Sequence, residues 1–183
     1  MKEFDYDLDY KTLDFTDAET RMLYRIGRGE QGVLLVRPYT NDICAHWKFR
    51  TPEIAVKSAN KIFAMYLDYR DEEDFVGMDM CRKFLEMGFT RSRRYANHRT
   101  GKKYDDEGKV RPQEPDHATC DFAKSAKIFK NVRDMVAKND IYVKMRKLWR
   151  SNESTHASRV DALAAASNVK RSFYSRRSNE VSR

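Results

Sequence analysis

Apolar side chains recur with a helical period in the middle of the chain. Ile54, Ala55, Ala59, Ile62, Phe63, Tyr66 and Leu67 fall on one face when spaced at 3.6 residues per turn. Thr51 is an N-cap residue, Pro52 suits the first helical position, and Glu53 complements the positive end of the helix dipole. A second helix is predicted after Asp74, with Phe75, Met78, Cys81, Phe84 and Leu85 inward. Gly88 stands where a C′ glycine ends a helix. Phe122, Ala126, Phe129, Val132, Met135 and Val136 predict a third helix over residues 116–138. Ile141, Val143, Met145, Leu148 and Trp149 predict one last packed element.

Before residue 50 the pattern changes. Met22–Ile26 and Val33–Arg37 flank a glycine-rich turn, and Val33-Leu34-Leu35-Val36 is short, apolar and β-branched at both ends. Such a run fits a buried strand better than a helix. Trp47-Lys48-Phe49 alternates and reads as another short strand. The expected fold is therefore α+β: a small N-terminal sheet packed by three or four helices, in one domain over residues 1–150. Beyond Arg150 large apolar residues become scarce and Ser, Asn and Arg dominate, so residues 151–183 read as a basic extension with one short helix at 158–167.

Composition sharpens this picture. Ten Phe, ten Tyr and two Trp in 183 residues supply a core without staples. Three cysteines (Cys44, Cys81, Cys120) without framework spacing read as reduced thiols. No apolar run approaches the roughly eighteen residues of a membrane span, and the acidic, aromatic start lacks signal-peptide character. A soluble, cytoplasmic protein is expected, with no membrane partner.

The net charge is +8, and it is unevenly placed. Residues 1–20 carry seven acids against two lysines, whereas residues 88–112 carry eight Arg or Lys against three acids. The acidic start is expected to neutralise part of the basic middle. The excess that remains favours an anionic partner.

The most informative stretch is the basic one. Arg91, Arg93, Arg94, Arg99, Lys102 and Lys103 interleave with Tyr95, His98 and Tyr104, and Asn97 adds a neutral donor. Cations neutralise phosphates while aromatic faces stack bases, and single-strand binding uses both together. A partner protein with an acidic face is the alternative.

Gly27-Arg28-Gly29-Glu30-Gln31-Gly32 matches G-x-G-x-x-G by letter. A dinucleotide fold needs those glycines to open a helix; a strand-like run follows instead. A kinase phosphate lid would need V-A-I-K, H-R-D and D-F-G partners, which are absent from the sequence. A tight turn at positive φ is the plain reading. Gly27, Arg28, Gly29 and Gly32 as a backbone-amide nest for an anion is the functional one; an enzyme acting there on a phosphorylated substrate is a further alternative.

Cys44-x-His46 and His117-x-x-Cys120 are short chelating pairs without the spacing of any zinc finger, and no metal or other cofactor is expected. Cys81 lies on an apolar stripe and reads as a small hydrophobe. No nucleophile motif stands out, so no catalytic residue is expected. In the extension, Arg171, Phe173, Tyr174, Arg176 and Arg177 form an arm suited to docking on a neighbouring subunit or a polyanion.

Long strings also resemble a known family. Leu23-Tyr24-Arg25-Ile26 with the glycine turn, His46-Trp47-Lys48-Phe49, Asp74-Phe75-Val76-Gly77-Met78-Asp79-Met80 and Met87–His98 together resemble the domain-of-unknown-function family DUF4385, over roughly residues 3–150. The resemblance implies one compact domain and brings no activity, cofactor or catalytic residue. It implies relatives in bacteria, plants, fungi and tailed phages of cyanobacteria, and with a phage origin a virion or DNA-associated role. The expected function is a non-enzymatic binding module for nucleic acid or another polyanion. The alternative is a structural or assembly protein whose extension docks on its neighbour.

Overall fold

The computed structural model describes residues 4–153, and its regular structure is helical. The elements are α1 (Ala18–Arg21), α2 (Tyr39–Cys44), α3 (Pro52–Asp71), α4 (Phe75–Asn97) and α5 (Asp121–Lys138), followed by α6 over residues 140–153. Among the described residues the β pairing is confined to one isolated bridge, Tyr104 to Val110. The α+β expectation is overturned: among the described residues the fold is all-helical and has no N-terminal sheet.

Helix starts follow from the residues expected to cap them. Thr51 Oγ1 accepts from the Ile54 N–H with Pro52 in the first turn, and Asp74 Oδ1 accepts from the Gly77 N–H. α4 is the central helix and packs against α2, α3 and α5. Met78, Met80, Cys81, Phe84 and Leu85 on it are fully buried, and each apolar side chain so buried stabilises by roughly 1.5–3 kcal/mol.

α4 does not stop at Gly88. It runs on for nine residues to Asn97, which places Arg91–Asn97 on a helix rather than in a loop. Gly88 faces the Phe129 ring of α5, and a Cβ there would lie 2.5 Å from it. The glycine lets two helices approach, and a terminator is not needed.

The expected strands fail for a shared reason: their backbone groups find partners other than a second strand. Tyr24 and Ile26 are buried and alternate with half-buried Arg25, as a strand would. Yet the Ile26 N–H donates to Glu153 Oε1 at 3.1 Å, and the Tyr24 carbonyl accepts from Trp149 Nε1 at 3.0 Å. Side chains of α6 thus take the place of a ladder. Val33 and Val36 are both buried while Leu34 is exposed, the three-residue spacing of successive turns and not the alternation of a strand. At Trp47–Phe49 the Lys48 N–H donates to Ser58 Oγ, which donates in turn to the His46 carbonyl.

Aromatic rings tie the ends of the described chain together. Phe4 stacks on Tyr10 and Tyr10 on Phe15, with centroids 5.3 and 5.9 Å apart. Phe15 meets Tyr24 edge-on, Tyr24 meets Trp149, and Trp149 stacks on Phe75 at 5.0 Å. No described helix is long and apolar enough to cross a membrane. The extension residues Arg171, Phe173, Tyr174, Arg176 and Arg177, and the helix expected at 158–167, lie outside the described residues.

Candidate functional site

Charges sit inside the most buried part of α4. Asp79 and Lys83 are fully buried, four residues apart on one helix face. Asp79 accepts three hydrogen bonds and has the Lys83 ammonium beside it. Tyr24 Oη donates to Oδ2 at 2.5 Å, Tyr142 Oη to Oδ1 at 2.6 Å and Arg82 Nε to Oδ1 at 2.7 Å, while Lys83 Nζ lies 3.9 Å from Oδ2. Burial alone raises a carboxyl pKa, but the neighbouring Arg82 and Lys83 charges and these hydrogen bonds hold it below the usual carboxylate range. Burial lowers the Lys83 ammonium to about 8, against the pull of Asp79. Burial and the Asp79 charge push both tyrosine hydroxyls up, so they stay protonated donors.

The glycine turn leans on this centre. Gly27, Gly29 and Gly32 all have positive φ, and at Gly32 the Phe4 ring fills the space where a Cβ would stand. The turn directs carbonyls at α4. Lys83 Nζ donates to the Gln31 carbonyl at 2.7 Å, and the Arg82 guanidinium reaches the Gly29 carbonyl at 3.3 Å. Two turns further along α4, Thr90 Oγ1 donates to Glu30 Oε2 at 2.7 Å. Arg28 remains exposed, with its N–H closed onto Gln31 Oε1.

Toward the end of α4 the expected basic residues separate into different environments. Arg93, Arg94, Asn97, His98 and Lys103 line a groove of about 420 Å³ between α4 and the bridged loop at 104–110. Phe89, Thr90, Val110 and Gln113 complete it. His98 is buried, and its Nδ1 has no hydrogen-bond partner. Arg93 is oriented by the His117 carbonyl and Asn97 Oδ1. Arg99 turns away to Glu114 and Asp116. Lys102 is exposed, Arg91 half-buried, and Lys103 Nζ lies 5.2 Å from the centroid of the half-exposed Tyr104 ring. Tyr95, expected as a stacking platform, is packed between Phe49 and Phe122 and stacks on the latter at 5.4 Å.

Among the described residues no ion pair joins the acidic start to this segment. Asp5, Asp9, Asp14 and Asp17 instead accept N–H groups of their own turns.

A second hollow, which the sequence reading missed, lies earlier along the same helix. It occupies about 650 Å³ between α4, α5 and α6. Arg82, Arg133, Arg146, Lys147 and Arg150 face it with Glu86 and Asp134, and Tyr142 connects it to buried Asp79. Arg82, Glu86, Phe89 and Arg93 follow one another at helical spacing, so the two hollows succeed each other on one face of α4. From Arg82 to Asn97 the helix rises about 22 Å. The signal available in the sequence was Asp79, Arg82 and Lys83 standing inside an otherwise apolar run. Among the described residues no group of three His, Cys, Asp or Glu is placed to hold a metal ion.

No curated protein and no solved structure matches the chain. A family model described as a domain of unknown function (DUF4385) matches residues 5–152, most of the chain and nearly all of the described fold. On that match, the chain belongs to DUF4385.

Proposed function

We propose that the protein is a non-enzymatic binding module for single-stranded nucleic acid, held in the groove at the end of α4. The observation that carries this reading is the cationic lining of the groove: Arg93, Arg94 and Lys103 stand along it beside Asn97 and His98. Like charges gathered in this way repel, and phosphates entering the groove would relieve that repulsion. The cations neutralise phosphates, while the half-exposed Tyr104 offers a face for a base. Arg28, on the turn joined to α4 by the Thr90–Glu30 hydrogen bond, extends the basic surface on that side.

Anisotropy of a labelled twelve-nucleotide single strand, titrated at several salt concentrations, tests the reading. Affinity should fall steeply as salt rises. Arg94→Glu with Lys103→Glu should weaken binding by roughly tenfold or more, and Tyr104→Ala by about fivefold or more. Unaltered affinity in these variants, or no binding at low salt, would reject it.

A further inference from the structure

The hollow between α4, α5 and α6 is built differently from the groove, and nothing in the strand-binding reading uses it. Five cationic side chains face it with two carboxylates, and Asp79 and Glu153 lie behind Arg82 and Arg150, so the charges of Arg146 and Lys147 remain in excess. Like charges brought together in this way repel, and an anion between them relieves the repulsion.

Two of the guanidinium groups are already fixed. Arg82 is held by Asp79 and the Gly29 carbonyl, and its side chain is only 12% exposed. Arg133 is held by Glu86 and Asp134, with Phe89 beneath its guanidinium at 5.2 Å. Each guanidinium has five N–H donors, so the bonds that anchor it do not exhaust it. Side chains already ordered lose little entropy when a ligand arrives.

Arg146 and Lys147 form no ion pair among the described residues. They leave the charge excess on the α6 side, where Arg150 is partly neutralised by Glu153 at 3.1 Å. Ala137 and half-exposed Val143 add an apolar wall. Forked donors, the unpaired charges of Arg146 and Lys147 and an adjoining apolar surface match a compact dianion attached to a carbon skeleton. The volume lies in the range of small-ligand sites.

From these features we infer that the hollow is a binding site for a phosphate monoester of nucleotide size or smaller. The phosphate sits among Arg82, Arg133, Arg146 and Lys147, and the ester group lies against Ala137 and Val143. The site is separate from the groove that holds Arg94 and Lys103.

Isothermal titration of the full chain with a nucleoside 5′-monophosphate, its unphosphorylated nucleoside and inorganic phosphate tests this. The monophosphate should bind, inorganic phosphate more weakly, and the nucleoside not at all. Arg146→Glu with Lys147→Glu, neither of them in an ion pair among the described residues, should weaken the monophosphate at least tenfold while the thermal midpoint stays near wild type. Arg94→Glu with Lys103→Glu should leave it within about twofold. Three results would overturn the inference: no heat at about 10 mM monophosphate, equal binding of the nucleoside, or a loss caused by the Arg94 and Lys103 changes instead. The last would place the ligand in the groove, and failure of strand binding alone would leave this site standing.

Discussion

The Gly88 backbone of α4 lies so close to the Phe129 ring of α5 that a Cβ at residue 88 would sit 2.5 Å from it. Alanine at an exposed helical position ordinarily stabilises by about 1 kcal/mol over glycine. Here the overlap dominates, because separating two packed helices typically costs about 1–3 kcal/mol. Gly88→Ala should therefore lower the urea midpoint, and Phe129→Leu in the same chain should restore part of it. A midpoint above wild type would mean that the helices do not approach this closely.

Asp79 is the shared acceptor of Tyr24, Tyr142 and Arg82, and Lys83 stands beside it. Asp79→Ala strands two buried cations and should destabilise the fold by roughly 3–5 kcal/mol in chemical denaturation. Tyr142→Phe removes one donor and leaves the charges compensated, so its loss should be nearer 1 kcal/mol. Equal losses would contradict the assignment of Asp79 as the counter-charge.

Lys83 gives the pH dependence a definite sign. Burial lowers its folded pKa from 10.5 to about 8. Between those values the unfolded chain binds a proton that the folded chain has released, so stability rises with pH across that window. From pH 7 to 9.5 the gain should be on the order of 2 kcal/mol. Lys83→Met should flatten that rise when urea midpoints are compared at the two pH values. Nearer pH 10 the buried tyrosines oppose the trend, because burial keeps them protonated after the unfolded chain has begun to lose those protons.

Glu153 accepts the Ile26 N–H and pairs with Arg150. Glu153→Ala should cost about 1–3 kcal/mol, since the buried amide is left without an acceptor. Hydrogen exchange at Ile26 should accelerate more than at core amides of α4. Unchanged protection there would argue against the contact.

Helix starts were legible because a cap acts over three or four residues: Thr51-Pro52-Glu53 and Asp74 mark their helices without reference to anything distant. The end of α4 was not legible. What Gly88 does depends on Phe129, forty-one positions later on another helix. The expected N-terminal sheet failed in the same way. Tyr24 and Ile26 alternate with Arg25 in burial, but their hydrogen-bond partners come from Trp149 and Glu153.

For the site, Arg93, Arg94, Asn97, His98 and Lys103 cluster in sequence and also line one groove. Tyr95 belongs to the same run, yet its ring packs inward against Phe122. The hollow between α4, α5 and α6 draws Arg82, Arg133 and Arg146 from three helices, and each alone reads as an ordinary solvated face.

The clasp of Tyr24 and Ile26 by Trp149 and Glu153 joins positions more than 120 residues apart. At roughly 5–20 residues per second, a ribosome exposes the first of these segments many seconds before the second. Until then Phe15 and Tyr24 lack the aromatic partner that links them to Phe75, and the Ile26 amide has only water. The Tyr24–Ile26 segment must therefore wait, without its last partners, for almost the whole described chain to emerge. A chain halted before residue 149 should remain protease-sensitive near residue 26, even where α3 and α4 have begun to pack.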